Sequence, residues 1–154
     1  VCLADHAGSL PKADVVALYW PMGSEIDTVP LARALMAAGC DLCLPVVVDR
    51  EAPLLFRRWI PGDPLEPDLI GSAAPLPLNS AVVPDLILTP LLAFDAKGVR
   101  LGQGGGYYDR TFASLSGARR IGLAYSAQYS DDLIEEAHDI RLHGILTETG
   151  YRPF

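Results

Sequence analysis

A series of short apolar runs limits what this 154-residue chain can fold into. Asp14–Trp20, Leu42–Val48, Leu54–Trp59, Asp85–Thr89, Arg120–Tyr125 and Gly144–Thr147 are rich in strand-favouring residues and read as buried strands. Helical signals stand between them. After Pro21 the chain offers a helix start at Asp27 or Thr28, and Leu31, Ala34, Leu35 and Ala38 then repeat at helical spacing up to Gly39. A second helix is expected from about Tyr107 to Leu115, and a short acidic one over Asp131–Ala137. Strands alternating with helices predict an α/β fold, a three-layer single domain with a mostly parallel central sheet. Leu42–Val48 and Leu54–Trp59 are expected to pair as a hairpin across Asp49–Pro53, and a second hairpin to turn at Ala96–Gly98. Pro61–Pro84, rich in proline and short of periodicity, reads as a long surface loop of the kind that is often functional.

Half of the residues are hydrophobic and a fifth are charged, a globular rather than a disordered balance. No apolar stretch is long enough for a transmembrane helix, and no basic segment followed by an apolar one opens the chain, so the expectation is a cytoplasmic protein without a membrane partner. The formal charge is −7 and no basic stripe is visible, which argues against nucleic acid as a partner. Three cysteines, Cys2, Cys40 and Cys43, cannot form a closed disulfide set. The pair Cys40–Cys43 has metal-motif spacing but lies at the entry of a strand, where residues three apart face opposite ways; a structural role is expected.

The richest chemistry lies in Arg100-Leu-Gly-Gln-Gly-Gly-Gly-Tyr-Tyr-Asp-Arg110. Gly102, Gly104, Gly105 and Gly106 offer bare backbone N–H groups, the expected helix adds its positive end, and Arg100 and Arg110 bracket the loop with charge. This is the chemistry of a phosphate cradle. It is neither the dinucleotide fingerprint nor a Walker loop, because Tyr107 and Tyr108 stand where those motifs need Gly or Gly-Lys.

This segment closely resembles the signature of the 5-formyltetrahydrofolate cyclo-ligase (methenyltetrahydrofolate synthetase) family. Thr-Pro-Leu-Leu-Ala-Phe-Asp before it, Tyr-Trp-Pro-Met-Gly-Ser-Glu-Ile-Asp-Thr at 19–28, and His138-Asp139 with the later Ile-Leu-Thr-Glu match further family blocks, in the family's order. The resemblance implies ATP-dependent closure of 5-formyltetrahydrofolate to 5,10-methenyltetrahydrofolate, with phosphorylation of the formyl oxygen and release of ADP and phosphate. It implies that Arg100, Leu101, Gly102, Gln103, Gly104, Gly105, Gly106, Tyr107, Tyr108 and Arg110 hold ATP, with Arg100 and Tyr107 nearest the chemistry. Trp20, Glu25 and Gln103 to Tyr107 would border the folate, and Asp109 and Asp139 would hold Mg²⁺. The partners implied are a reduced folate and ATP, and the chain is expected to act as a monomer. It begins after the family's N-terminal helix, whose Lys and Arg reach the nucleotide, so residues 1–154 are expected to form the cyclo-ligase domain without that helix.

Other signals carry bland readings. His138 and His143 are expected to be surface or capping residues, and the Asp131-Asp132 and Glu135-Glu136 run a solvated helix start. Arg57-Arg58 alternate faces on a hairpin strand, so at most one could reach a folate tail. No nucleophile elbow surrounds any serine. Two alternatives stay open: a folate-binding relative that has lost ATP turnover, and a sugar-phosphate or nucleotide enzyme sharing only the scaffold and an anion loop.

Overall fold

A computed structural model describes residues 2–154. After a 3₁₀ segment (Leu3–Ser9), β1 (Val15–Ala17) leads through α1 (Val29–Ala37) to β2 (Asp41–Val46), which turns back into β3 (Leu55–Arg58). A small hairpin, β4 (Leu65–Pro67) with β5 (Ala73–Pro75), precedes β6 (Leu86–Thr89). A second hairpin, β7 (Ala93–Phe94) with β8 (Arg100–Leu101), leads through the glycine segment into α2 (Tyr107–Ser114) and β9 (Arg119–Leu123). The chain ends in β10 (Gly144–Thr147) and β11 (Gly150–Pro153).

Seven of these strands form one sheet in the order β11-β10-β9-β6-β1-β2-β3. The inner five run parallel, and an antiparallel strand closes each edge. Successive residues serve opposite faces, as strand geometry demands. Val16, Leu18, Leu42, Leu44, Leu86 and Leu88 join Leu31 and Leu35 of α1 in one core. Ala17, Cys43, Ile87 and Ile145 join Phe112 of α2 in a second core on the other face. Burying an apolar side chain of this size contributes about 1.5–3 kcal/mol, which explains why the strands read as unbroken apolar runs rather than alternating ones. The three expected layers are therefore present.

Local chemistry sets the element ends. Asp27 Oδ1 accepts the Val29 amide at 3.0 Å to open α1, and the Thr28 hydroxyl donates to the Tyr19 carbonyl at 2.7 Å, tying the helix start to the end of β1. The hairpin across Asp49–Pro53 forms as expected. The stretch Pro61–Pro84 is not structureless: it contains the β4–β5 hairpin, held by Asp68, whose Oδ1 accepts from the Ile70 and Ser72 amides and whose Oδ2 accepts from Val47.

The acidic segment Asp131–Ala137 is not a helix. Ile134 is 87% exposed, so there is no apolar face to bury. The Ser130 hydroxyl accepts the Asp132 amide and Asp139 accepts the Glu136 amide, so side chains replace the helical bonds. Cys40 and Cys43 do face opposite ways: Cys40 packs against the first core with its thiol on the Ala13 carbonyl, and Cys43 lies in the second. Burial pushes the Cys43 thiol up to about 12, keeping it protonated and unsuited to metal.

Candidate active site

In open α/β sheets, ligands bind at the carboxyl ends of the strands, where successive connections leave in opposite directions. Here β1 is followed by β2 on one side, while β6, β9 and β10 lie on the other, so the switch falls between β1 and β6. Tyr19 and Trp20 leave the end of β1, Thr89 and Pro90 the end of β6, and the glycine segment stands between β8 and α2. Two of the three buried side-chain polar atoms that lack a partner among the described residues, Thr89 Oγ1 and Arg100 Nε, are at this crevice. The third is Trp59 Nε1.

Gln103, Gly104 and Gly105 are exposed, and no amide from Gly102 to Gly106 donates to another group among the described residues. Gly106 caps α2 with φ +73°, a left-handed conformation that a side chain would strain, and this turn leaves the loop amides beside the positive end of the helix. Arg110 fastens the loop from below. It donates to the carbonyls of Ala52 (3.2 Å) and Arg50 (2.9 Å), and its guanidinium lies 4.8 Å from the centre of the Tyr107 ring.

Arg100 turns inward. Its side chain is only 7% exposed; it donates to the Pro90 carbonyl at 3.1 Å and lies over the rings of Tyr108 and Phe112. Its NH2 group stands 3.9 Å from Asp109 Oδ2. A Cβ at position 102 would come within 2.7 Å of this guanidinium, so a side chain there would have to displace the buried end of Arg100. Burial lowers the Arg100 pKa, opposed first by the Asp109 charge, and it raises that of Tyr108 despite the neighbouring arginine.

Asp109 and Asp139 come together, although thirty positions separate them in the chain. One oxygen of each acidic partner together with an imidazole nitrogen of His138 forms a group whose atoms lie within 4.8 Å of one another. Asp109 Oδ1 accepts the Ile140 amide (3.2 Å) and Asp139 Oδ2 accepts the Glu136 amide (2.8 Å), so a backbone bond orients each carboxylate and leaves its other oxygen available. Two hard oxygen donors fit a magnesium ion. His138, exposed and 3.5 Å from Asp139 Oδ1, joins this group, which the sequence reading did not anticipate. The only available signal was its adjacency to Asp139. His143 is a structural acceptor instead, receiving the Arg120 amide at 2.9 Å.

On the β1 side, Glu25 Oε1 accepts the Met22 amide at 2.7 Å, and burial raises its pKa. Tyr19 is deeply buried, and desolvation with the Glu25 charge holds its phenol well above the usual range. Trp20 is 38% exposed and packs edge-on against Trp59 with ring centres 6.2 Å apart. Trp20 and Glu25 thus share one loop, on the β1 side of the crevice.

A mostly parallel α/β sheet with a glycine loop opening a helix beside a pair of carboxylates is the architecture of α/β proteins that bind ligands at the carboxyl ends of their strands. The particular family follows from comparison. The chain belongs to the 5-formyltetrahydrofolate cyclo-ligase family, whose sequence model matches residues 3–148, and it is an enzyme of the ligase class. A 5-formyltetrahydrofolate cyclo-ligase from Haemophilus influenzae (strain ATCC 51907 / DSM 11121 / KW20 / Rd) is 38% identical over 145 residues, covering 88% of this chain and 76% of the relative. The Escherichia coli K12 protein of the same name is 35% identical over 145 residues, covering 88% and 78%. Among solved structures, the 5,10-methenyltetrahydrofolate synthetase of Aquifex aeolicus is 32% identical with a TM-score of 0.79, covering 98% of this chain and 80% of that one. The synthetase of Mycoplasma pneumoniae, 24% identical, shares the fold with a TM-score of 0.71 over 94% and 79%.

Proposed function

We infer that the chain closes 5-formyltetrahydrofolate to 5,10-methenyltetrahydrofolate at the expense of ATP. An N-formyl carbonyl is amide-like, a poor electrophile whose oxygen is a poor leaving group. The formyl oxygen attacks the γ-phosphorus, and the bond to the bridging oxygen breaks as ADP departs. N10 then attacks the formyl carbon, the carbon–oxygen bond breaks with loss of phosphate, and N10 gives up its proton. Alignment and charge neutralisation are the protein's main tasks in such a transfer.

The free amides of Gly102 to Gly106, beside the start of α2, suit the phosphate oxygens. Leu101 and Gln103 flank them, and Tyr107, held under Arg110, walls the loop. Arg100 supplies fixed positive charge beneath the loop rather than from its rim. Asp109 and Asp139 would hold Mg²⁺, which when bound offsets the charge of the triphosphate. Glu25 can accept paired hydrogen bonds from the amino-pyrimidine edge of a pterin, with Trp20 beside it.

The single observation that carries this proposal is the meeting of Asp109 and Asp139 beside the inward-turned Arg100 and the glycine loop. The test is an absorbance time course with 5-formyltetrahydrofolate and MgATP, watching for the methenyl chromophore. Product that appears only with ATP is expected. Folate binding without ATP-dependent product would overturn the reading in favour of a non-catalytic relative.

A further inference from the structure

A cavity of about 380 Å³ lies at the end of the sheet opposite the glycine loop, where β2 begins and the antiparallel β3 ends. The length of β2 puts it about 17 Å from the crevice at the carboxyl ends of the strands. Its volume is within the usual range for small-molecule sites, about 300–1,000 Å³. The buried Leu42 and Trp59 form an apolar floor, and Met36, Ile60 and Leu78 stand around them. These three are exposed, Leu78 by 82%, so apolar surface is gathered here that no described residue covers.

The polar part of the rim is held by bonds that leave oxygen acceptors free. Asp63 Oδ2 accepts the Ile60 amide at 3.1 Å, and the Asn79 side-chain amide donates to the Arg58 carbonyl at 3.0 Å. Asp41 Oδ1, Asp63 Oδ1 and Asn79 Oδ1 receive no hydrogen bond among the described residues. Of the residues lining the cavity, Asp41 and Asp63 are acidic and Arg58 is the only base. The Arg58 guanidinium is turned to Asp41 Oδ2 at 2.9 Å, which leaves the Asp63 charge over. The half-buried Cys40 thiol on the same wall is pushed up by burial and then by the charges of Asp85, Asp14 and Asp41, so the ground behind the rim is negative too.

We propose that this cavity binds a small organic ammonium ion carrying an apolar body. An ammonium group has donors and no acceptor, which matches a rim of free carboxylate and amide oxygens. The apolar body covers Met36, Leu42 and Leu78, and Trp59 adds an aromatic surface of the kind that attracts cations. An anion of the same shape would meet Asp63 and find Arg58 already engaged. A neutral molecule would leave the Asp63 charge without a partner. The cavity stands apart from the glycine loop and the Asp109–Asp139 pair, so the assignment does not depend on ATP or folate. Trp59 also supplies a readout, because the chain has only two tryptophans and Trp20 does not line the cavity.

The test uses the whole chain with 2-phenylethylammonium as the probe, beside its neutral counterpart 2-phenylethanol and the anion phenylacetate. Calorimetry gives the affinities, with melting temperatures confirming that each variant is folded. Trp20→Phe, which leaves Trp59 as the only indole, reports by fluorescence whether the probe reaches Trp59. The ammonium ion is expected to bind at least about tenfold more tightly than either counterpart and to shift the Trp59 emission. Asp63→Asn keeps an oxygen for the Ile60 amide but loses the charge, and should bring the ammonium ion to within about twofold of the alcohol. Leu78→Ala, at an exposed position, should weaken both of these probes alike. Arg58→Ala frees Asp41 and should tighten ammonium binding by about twofold to fivefold, the scale of one exposed ion pair. A wild type that does not bind the ammonium ion, or binds phenylacetate as tightly, overturns the proposal. So does a preference for the ammonium ion that survives Asp63→Asn, a loss of ammonium binding in Arg58→Ala, or a Trp59 emission that the probe leaves unchanged.

Discussion

Asp109→Asn is the most informative single change because one carboxylate serves two neighbours. Its Oδ1 accepts the Ile140 amide, which asparagine can still do, and its Oδ2 faces Arg100 NH2 at 3.9 Å. At that separation the pair attracts by about 4 kcal/mol if the effective dielectric is about 20, most of it offset by the desolvation already incurred. Removing the charge leaves Arg100, 7% exposed, without its counter-ion and with its Nε already unpaired. Breaking a buried pair costs about 3–5 kcal/mol. The 17% exposure of Asp109 and the remaining bond from Arg100 to Pro90 put this one at about 3 kcal/mol or somewhat less. For a chain of this size the melting temperature should fall by about 6–12 °C. The same change removes one of the two carboxylates proposed to hold Mg²⁺, worth about 1.5–3 kcal/mol, so MgATP affinity should drop about tenfold to a hundredfold. Folate affinity, measured on the folded fraction, should stay within about twofold. Melting curves and two titrations decide the matter. Unchanged nucleotide affinity, or equal losses for folate and nucleotide, would refute the reasoning.

Other expectations follow from single contacts. Glu25→Gln keeps an acceptor for the Met22 amide but loses the charge proposed to meet the pterin edge, so the folate KM should rise about tenfold or more in steady-state kinetics with the melting temperature unchanged. Gly102→Ala places a methyl group 2.7 Å from the buried Arg100 guanidinium, which should cost about 1–3 kcal/mol in urea unfolding. Gly117→Ala, with nothing within 4 Å of the added carbon, is the control. Burial, then the charges of Arg120 and Arg119, lowers the His143 pKa below its ordinary 6.5. The unfolded chain therefore binds that proton more readily, so its contribution to stability is present above about pH 6.5 and is lost as pH falls through the lower folded value. Melting temperatures should decline on acidification through that window, and His143→Gln should flatten this part of the profile.

The parallel sheet was legible because a strand covered on both faces cannot afford polar residues: Val16-Ala17-Leu18 and Leu86-Ile87-Leu88 serve both cores at once. The last strand was not legible. Gly150–Pro153 is a short edge element containing glycine, arginine and proline, and it is held by its antiparallel register with β10 rather than by apolar content. The acidic segment misled for the opposite reason, since its charges suit a helix start but Ile134 finds nothing to pack against. At the site, an exposed glycine loop leading into α2 could be read from its glycines and the helix expected after them. The pairing of Asp109 with Asp139 came only from resemblance, because bringing them together depends on how the irregular stretch before β10 crosses α2. The inward turn of Arg100 could not be read at all, since it depends on Pro90 and Phe112, which no local pattern links to it.

The bonds from Arg110 to the Arg50 and Ala52 carbonyls, and from the Leu54 amide to the Thr111 hydroxyl, have a practical consequence for anyone redesigning this chain. The connection between β2 and β3 looks like an ordinary exposed hairpin, the usual place to graft a tag, a fluorophore or a second domain. Here it is the abutment on which the first turn of α2 rests. A graft there would be felt in the geometry of the glycine loop that opens α2.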